Sequence, residues 1–137
     1  GAWIAVGPEA ETGSIASYGL AVALGSVLPS YWPDGNTSLT AAMVPVVFSD
    51  QTQRQLVWWG GPSTPEWVHG VIARYRTGEP AISQTWSGRG FVVISGPHPE
   101  APLGWRVTAG NDSDGLDIDL ARDMMSAAMN GRPMATY

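Results

Sequence analysis

The sequence predicts an α/β sandwich, or part of one. Three observations lead there. Five short apolar runs lie between residues 44 and 95, a well-marked helix follows near the C-terminal end, and 44% hydrophobic residues in 137 positions are enough to fill one core. The chain is therefore read as a single domain over residues 1–137, with residues 111–137 as its C-terminal helix and tail.

Residues 1–28 are small and apolar. The opening GAWIAVG reads as a candidate short helix closed by Gly7-Pro8. The next run, residues 14–28, carries Ile15, Tyr18, Leu20, Val22, Leu24, Val27 and Leu28. Its Gly19 and Gly25 argue against a long helix, so helix and strand both stay open there. Residues 29–42 are dense in turn formers and read as a loop.

From Val44 onward the pattern changes to strands. VPVVF (44–48) and RQLVWWG (54–60) are joined by SDQTQ, a hairpin-length connection. GVIARY (70–75), PAISQTW (80–86) and RGFVVIS (89–95) follow. Their links are so short that antiparallel neighbours are expected. The run Phe91-Val92-Val93-Ile94 is apolar at every position, which suits a central strand covered on both faces. The last element is a helix. Asp112, Ser113 or Asp114 is the expected N-cap, Asp117 and Asp119 fall in the first turn, and Leu116, Leu120, Met124 and Ala127-Ala128 form the apolar stripe. Gly131 and Pro133 stop it.

Composition removes several function classes. The net charge is −5, all seven basic residues are Arg, and they are scattered. Such a chain lacks the clustered basic surface that phosphate contacts require, so no nucleic-acid partner is expected. Cysteine is absent, which excludes a disulfide framework, a zinc ribbon and a thiol nucleophile within these residues. Two histidines leave little for a His-rich metal site, and neither metal nor cofactor is expected. No apolar run approaches the roughly 20 residues of a membrane-spanning helix. The first residue is Gly1, with no signal peptide ahead of it, which implies a processed chain or a removed upstream segment. The lack of Lys fits a GC-rich, bacterial coding bias. Nothing points to a compartment.

The stretch most specific for chemistry is GRGFVVISGPHPE, residues 88–100. A strand ends at Ser95-Gly96 and a proline-flanked turn holds His98, with Glu100 two residues on. A backbone-fixed histidine beside a carboxylate is the base-and-orienter half of a nucleophile–His–acid triad. The competing reading is a loop histidine whose ring packs on Trp105. Spacing alone favours the second, because H-x-E is common by chance.

This same segment resembles the C-terminal signature of the class I glutamine amidotransferase-like superfamily. More narrowly it is similar to the biotin-protein-ligase N-terminal-domain family, in which a final strand runs into Gly-Pro-His-Pro-Glu. The preceding WWGGP and VIARYRTGEPAIS also fit, and Gly1-Ala2-Trp3-Ile4-Ala5 resembles the continuation just after that family's nucleophilic cysteine. The likeness covers about residues 1–102, the second half of such a domain. It implies the C-terminal half of a flavodoxin-like, glutamine amidotransferase-like sandwich with an antiparallel strand extension. It also implies a cysteine-dependent amidase or acyl-transfer hydrolase acting on a small amide or peptide. His98 and Glu100 would be its catalytic residues, and the nucleophile would lie just upstream of Gly1. The partner implied is the protein's own N-terminal half. A non-catalytic scaffold that keeps the fold is the alternative, and Trp-based carbohydrate binding a weaker one.

Three geometric expectations follow. Phe91–Ser95 should be an interior strand of a mostly parallel sheet. His98 and Glu100 should lie beyond its C-terminal end. The imidazole should face the start of the chain, within about 10 Å of Gly1. Beside the triad, Gly60 and Gly61 are candidate substrate-binding positions where backbone could approach a ligand, with Trp59 as a wall. Strand alternation puts Trp58 and Trp59 on opposite faces, so at most one lines a site. The spaced acids of residues 111–119 read as helix capping, with metal binding a minor alternative. His69 reads as a surface or partly packed residue.

Overall fold

The computed structural model describes the backbone of residues 3–6 and, in full, residues 41–59, 61 and 63–137. The candidate helix-or-strand run at 14–28 and most of the expected loop at 29–42 lie outside them, as do Gly1 and Gly60.

Six strands and two helices are present among the described residues: β1 (Trp3–Val6), β2 (Ala42–Phe48), β3 (Gln53–Trp58), β4 (Val71–Tyr75), β5 (Pro80–Ser87), β6 (Gly90–Ser95), α1 (Leu103–Ala109) and α2 (Ile118–Asn130). The content is mixed α/β. The strands form one sheet in the order β1-β6-β5-β4-β2-β3.

Five strands fall where the apolar runs placed them, and the turns explain why they pair as neighbours. Asp50 Oδ1 accepts from the Thr52 amide (2.9 Å) and hydroxyl (2.6 Å), closing the β2–β3 hairpin. Gly88, at φ 58°, takes the first central position of the two-residue turn between β5 and β6. Each pairing in the sheet is antiparallel, so the mostly parallel sheet is corrected. The links β2–β3, β4–β5 and β5–β6, of four, four and two residues, have no room for the crossover that a parallel neighbour needs. β6 is interior as expected, between β1 and β5, and all six of its residues are buried.

Two further expectations are corrected, and one helix is added to them. Trp3–Val6 is a strand paired with β6 rather than a short helix. Four residues rich in Trp, Ile and Val are too few to establish a helical period and favour the extended state. The C-terminal helix begins at Ile118, not near residue 112, with Asp117 in the N-cap position and no side-chain cap bond. Leu116 consequently stays 53% exposed, outside the stripe. Finally, α1 was not foreseen. Leu-Gly-Trp-Arg-Val-Thr-Ala mixes glycine, an aromatic and β-branched residues, all modest helix formers.

α2 lies on one face of the sheet, against β6 and β1. Its Leu120, Met124, Ala127 and Ala128 join Val44, Val46, Leu56, Trp58, Tyr75, Phe91 and Val93 in the core. Gly131 ends the helix in the left-handed conformation, with its amide donating to Ala127 O. The tail then crosses the sheet. Buried Gln84 exchanges two hydrogen bonds with the Met134 backbone, and the Tyr137 amide donates to Val71 O at 3.0 Å. No helix among the described residues is long and apolar enough to cross a membrane.

Candidate functional site

β6 delivers the chain into the turn Gly96-Pro97-His98-Pro99-Glu100, beyond its C-terminal end as expected. The turn is held at several points. Gly96 N donates to Ala81 O at 2.9 Å, and Ser95 Oγ donates to Pro97 O at 2.6 Å. His98 N donates to Val57 O at 2.7 Å, forming an isolated antiparallel bridge with β3. β5, β4 and β2 all lie between β6 and β3 in the sheet, so this bridge requires the sheet to curl until its far edge meets the exit of β6. Prolines at 97 and 99 restrict φ on either side.

The side chains follow from that backbone. His98 Nδ1 lies 2.8 Å from Glu100 Oε1. A carboxylate only accepts, so the neutral ring carries its proton on Nδ1, and Nε2 is its basic nitrogen. Glu100 Oε2 is buried and has no hydrogen-bond partner among the described residues. The His98 ring also meets Trp105 edge-to-face, with centroids 5.7 Å apart and planes at 85°. His98 is thus both paired with a carboxylate and packed on Trp105. Trp105 in turn meets Trp59 at 5.4 Å and 85°.

The tandem tryptophans divide as alternation requires. Trp58 is fully buried and donates from Nε1 to Gly61 O at 2.6 Å, whereas Trp59 is 40% exposed and joins the ring cluster beside His98. Gly61 is buried, with its carbonyl occupied by that core bond; Gly60 is outside the described residues. His69 is exposed and has a positive φ of 53°. The distance from His98 to Gly1 also falls outside the described residues. Trp3, however, pairs with Ser95, three residues before His98, so the start of β1 runs beside the end of β6 that leads to the turn.

A second cluster of charge lies next to this turn. Arg106 of α1 is 1% exposed and donates to Ala101 O (3.3 Å), Gln55 O (3.2 Å), Asp112 Oδ2 (3.0 Å) and Asp117 Oδ2. Arg54 bridges Asp117 (3.2 Å) and Asp119 (2.7 Å), and Asp114 Oδ2 accepts the Gln55 amide at 2.8 Å. The acids of residues 111–119 are thus tied to two arginines and the β3 edge rather than arranged around an ion. Among the described residues no group of three or more His, Asp or Glu side chains is placed to hold a metal. The Arg54 hydrogen bond brings the Asp119 carboxyl down to about 2, against burial. Burial pushes Asp112 up, but bonds from Arg106 and the Gly115 amide outweigh it and leave the group lowered. Burial raises Asp114.

The sequence reading singled out neither Arg106 nor this network. Its signal was present: four aspartates within residues 112–119 need cations, and Arg106 is the nearest preceding one. A groove of about 230 Å³ beside α2, lined by Phe48, Arg54, Leu120, Asp123 and Met134, shares no residue with the His98 turn. Comparison with known families, curated proteins and solved structures finds no match to this chain.

Proposed function

We propose that this chain is the C-terminal half of a glutamine amidotransferase-like sandwich, contributing its antiparallel extension. It would supply the His–Glu part of a Cys-His-Glu triad to a cysteine-dependent amidase or acyl-transfer hydrolase. The observation that carries the reading is the 2.8 Å contact between His98 Nδ1 and Glu100 Oε1 on a backbone-locked turn. The resemblance of residues 88–100 to that superfamily's signature adds to it, as does the pairing of Trp3 with Ser95.

The nucleophile in this reading is a cysteine upstream of Gly1, since these residues contain none. His98 Nε2 takes the thiol proton as sulfur attacks the amide carbonyl. The proton passes to the leaving amine, the C–N bond breaks and a thioester remains. Water, deprotonated by the same nitrogen, then attacks the thioester; the C–S bond breaks, the acid is released and the proton returns from Nε2 to the cysteine sulfur. Glu100 accepts the Nδ1–H bond throughout and stabilises the imidazolium. Trp59 stands as a wall of the substrate site, which takes a small amide or peptide.

The absence of cysteine from these residues also favours a second reading, a scaffold that keeps the fold without turnover. The test is the codon sequence immediately upstream of Gly1, followed by assay of the full protein with glutamine and small amides. A Gly-x-Cys-Ala there, with activity lost on alkylation, supports the enzyme. Ser, Ala or Gly in place of Cys supports the scaffold. Sugar stacking is not proposed, because Trp59 and Trp105 stand at 85° and offer no shared flat platform.

A further inference from the structure

The geometry points to Trp105 as the positioning residue that fixes the plane of the His98 imidazole. Glu100 holds the ring at one atom only. The only other restraint on the ring is its Cβ–Cγ bond, and a turn about that bond would take Nδ1 off Glu100 and swing Nε2 away from any fixed nucleophile. The Trp105 indole, edge-to-face with His98 at 5.7 Å and 85°, blocks that turn. Trp59 backs Trp105 from a second direction at 5.4 Å and 85°. The carboxylate contact sets the tautomer, and the aromatic contact holds the ring in the one orientation in which that carboxylate bond forms.

Trp105 has no comparable part in holding the fold. It is 39% exposed, and Arg106 is the buried residue of α1. Arg106, through Ala101 O, Gln55 O and two carboxylates, anchors the helix. A large aromatic left two-fifths in solvent, touching the histidine and the candidate substrate-site Trp59, is placed for the site rather than for the core. The consequence for turnover rests on the amidase reading; the orientation of the ring does not.

The test uses the full protein labelled with 15N-histidine and reads the His98 tautomer from long-range proton–nitrogen correlations. In the unmodified protein one Nδ1–H tautomer dominates. Trp105→Ala is expected to lose that dominance and broaden the ring signals, while Trp105→Phe, which keeps an aromatic edge, restores them. Where amide turnover is measurable, Trp105→Ala lowers kcat by roughly 10- to 100-fold with KM little changed, as expected of misplacement rather than lost binding. A wild-type tautomer pattern in Trp105→Ala would overturn the proposal. So would loss of the cooperative melt, which would make Trp105 a structural residue. An ordered Nδ1–H tautomer in a protein without thiol-dependent activity sinks the amidase reading and leaves this one standing.

Discussion

Two carboxylate–base clusters sit side by side on this chain and are built on opposite principles. Around Arg106 the polar atoms are tied off: one guanidinium, almost wholly buried, meets two backbone carbonyls and two aspartates, and Asp117 is shared with Arg54. Around His98 the bonds are fewer, and Glu100 Oε2 has no hydrogen-bond partner among the described residues. The comparison teaches that closeness of charge does not mark a site. Satisfied ion networks hold structure together, and a fixed pair with unused atoms is what chemistry can employ.

The sharpest way to break the comparison is His98→Ala. If the pair is catalytic, kcat/KM of the full protein should fall by about 10³–10⁴-fold or more. The melt should move little, because the backbone bond from His98 N to Val57 O survives the substitution. Matched losses of activity and stability would make His98 structural. Arg106→Met should do the reverse and cost about 3–5 kcal/mol, since Asp117 would be left buried with half its charge partners. Denaturant titration reads that loss, and a change below about 1 kcal/mol would remove the network from its structural role.

Paired neutralisations sharpen the contrast at smaller scale. Asp117→Asn should destabilise by about 2–4 kcal/mol because it uncouples two arginines. Glu100→Gln should change stability by under about 1 kcal/mol, one carboxylate oxygen alone being bonded. Equal effects would erase the distinction between the clusters. The smallest effect is on pH. Asp119 titrates near 2 in the folded protein, below its ordinary 3.8. Its contribution is therefore fully present above about pH 4 and lost as pH falls towards 2. The Asp119 side chain is 55% exposed, so screening holds this to roughly 0.5–1 kcal/mol. Asp114, raised by burial, titrates in the opposite sense, so Asp119→Asn is the variant to compare across acid unfolding curves.

How far the sequence could be read follows the range of the forces involved. β2 to β6 were legible because their signals are local: apolar runs bounded by Gly, Asp and Pro. His98 and Glu100 were legible because their partnership spans two residues. The antiparallel pairing of β4, β5 and β6 was legible in their short links, but the sheet as a whole was misread as mostly parallel, because an apolar strand says only that both faces are covered, and β6 meets that condition between antiparallel neighbours. Arg106 was missed because nearby acids do not reveal that a basic residue is buried; its burial depends on Gln55 of β3, 51 residues away, which only the folded chain brings to it. The Trp59–Trp105 contact is of the same kind.

The bridge between His98 and Val57 has a kinetic consequence. Three strands separate β6 from β3 in the sheet order, so this bond forms only after β5, β4 and β2 are in register, late in any folding sequence that closes short loops first. The His98 amide hydrogen should accordingly exchange with solvent at the rate of the cooperative opening of the sheet, although it belongs to a turn. Turn amides ordinarily exchange through shallow local fluctuations. A histidine amide as slow to exchange as those of β6 would mean that the dyad is never presented by a partly folded molecule.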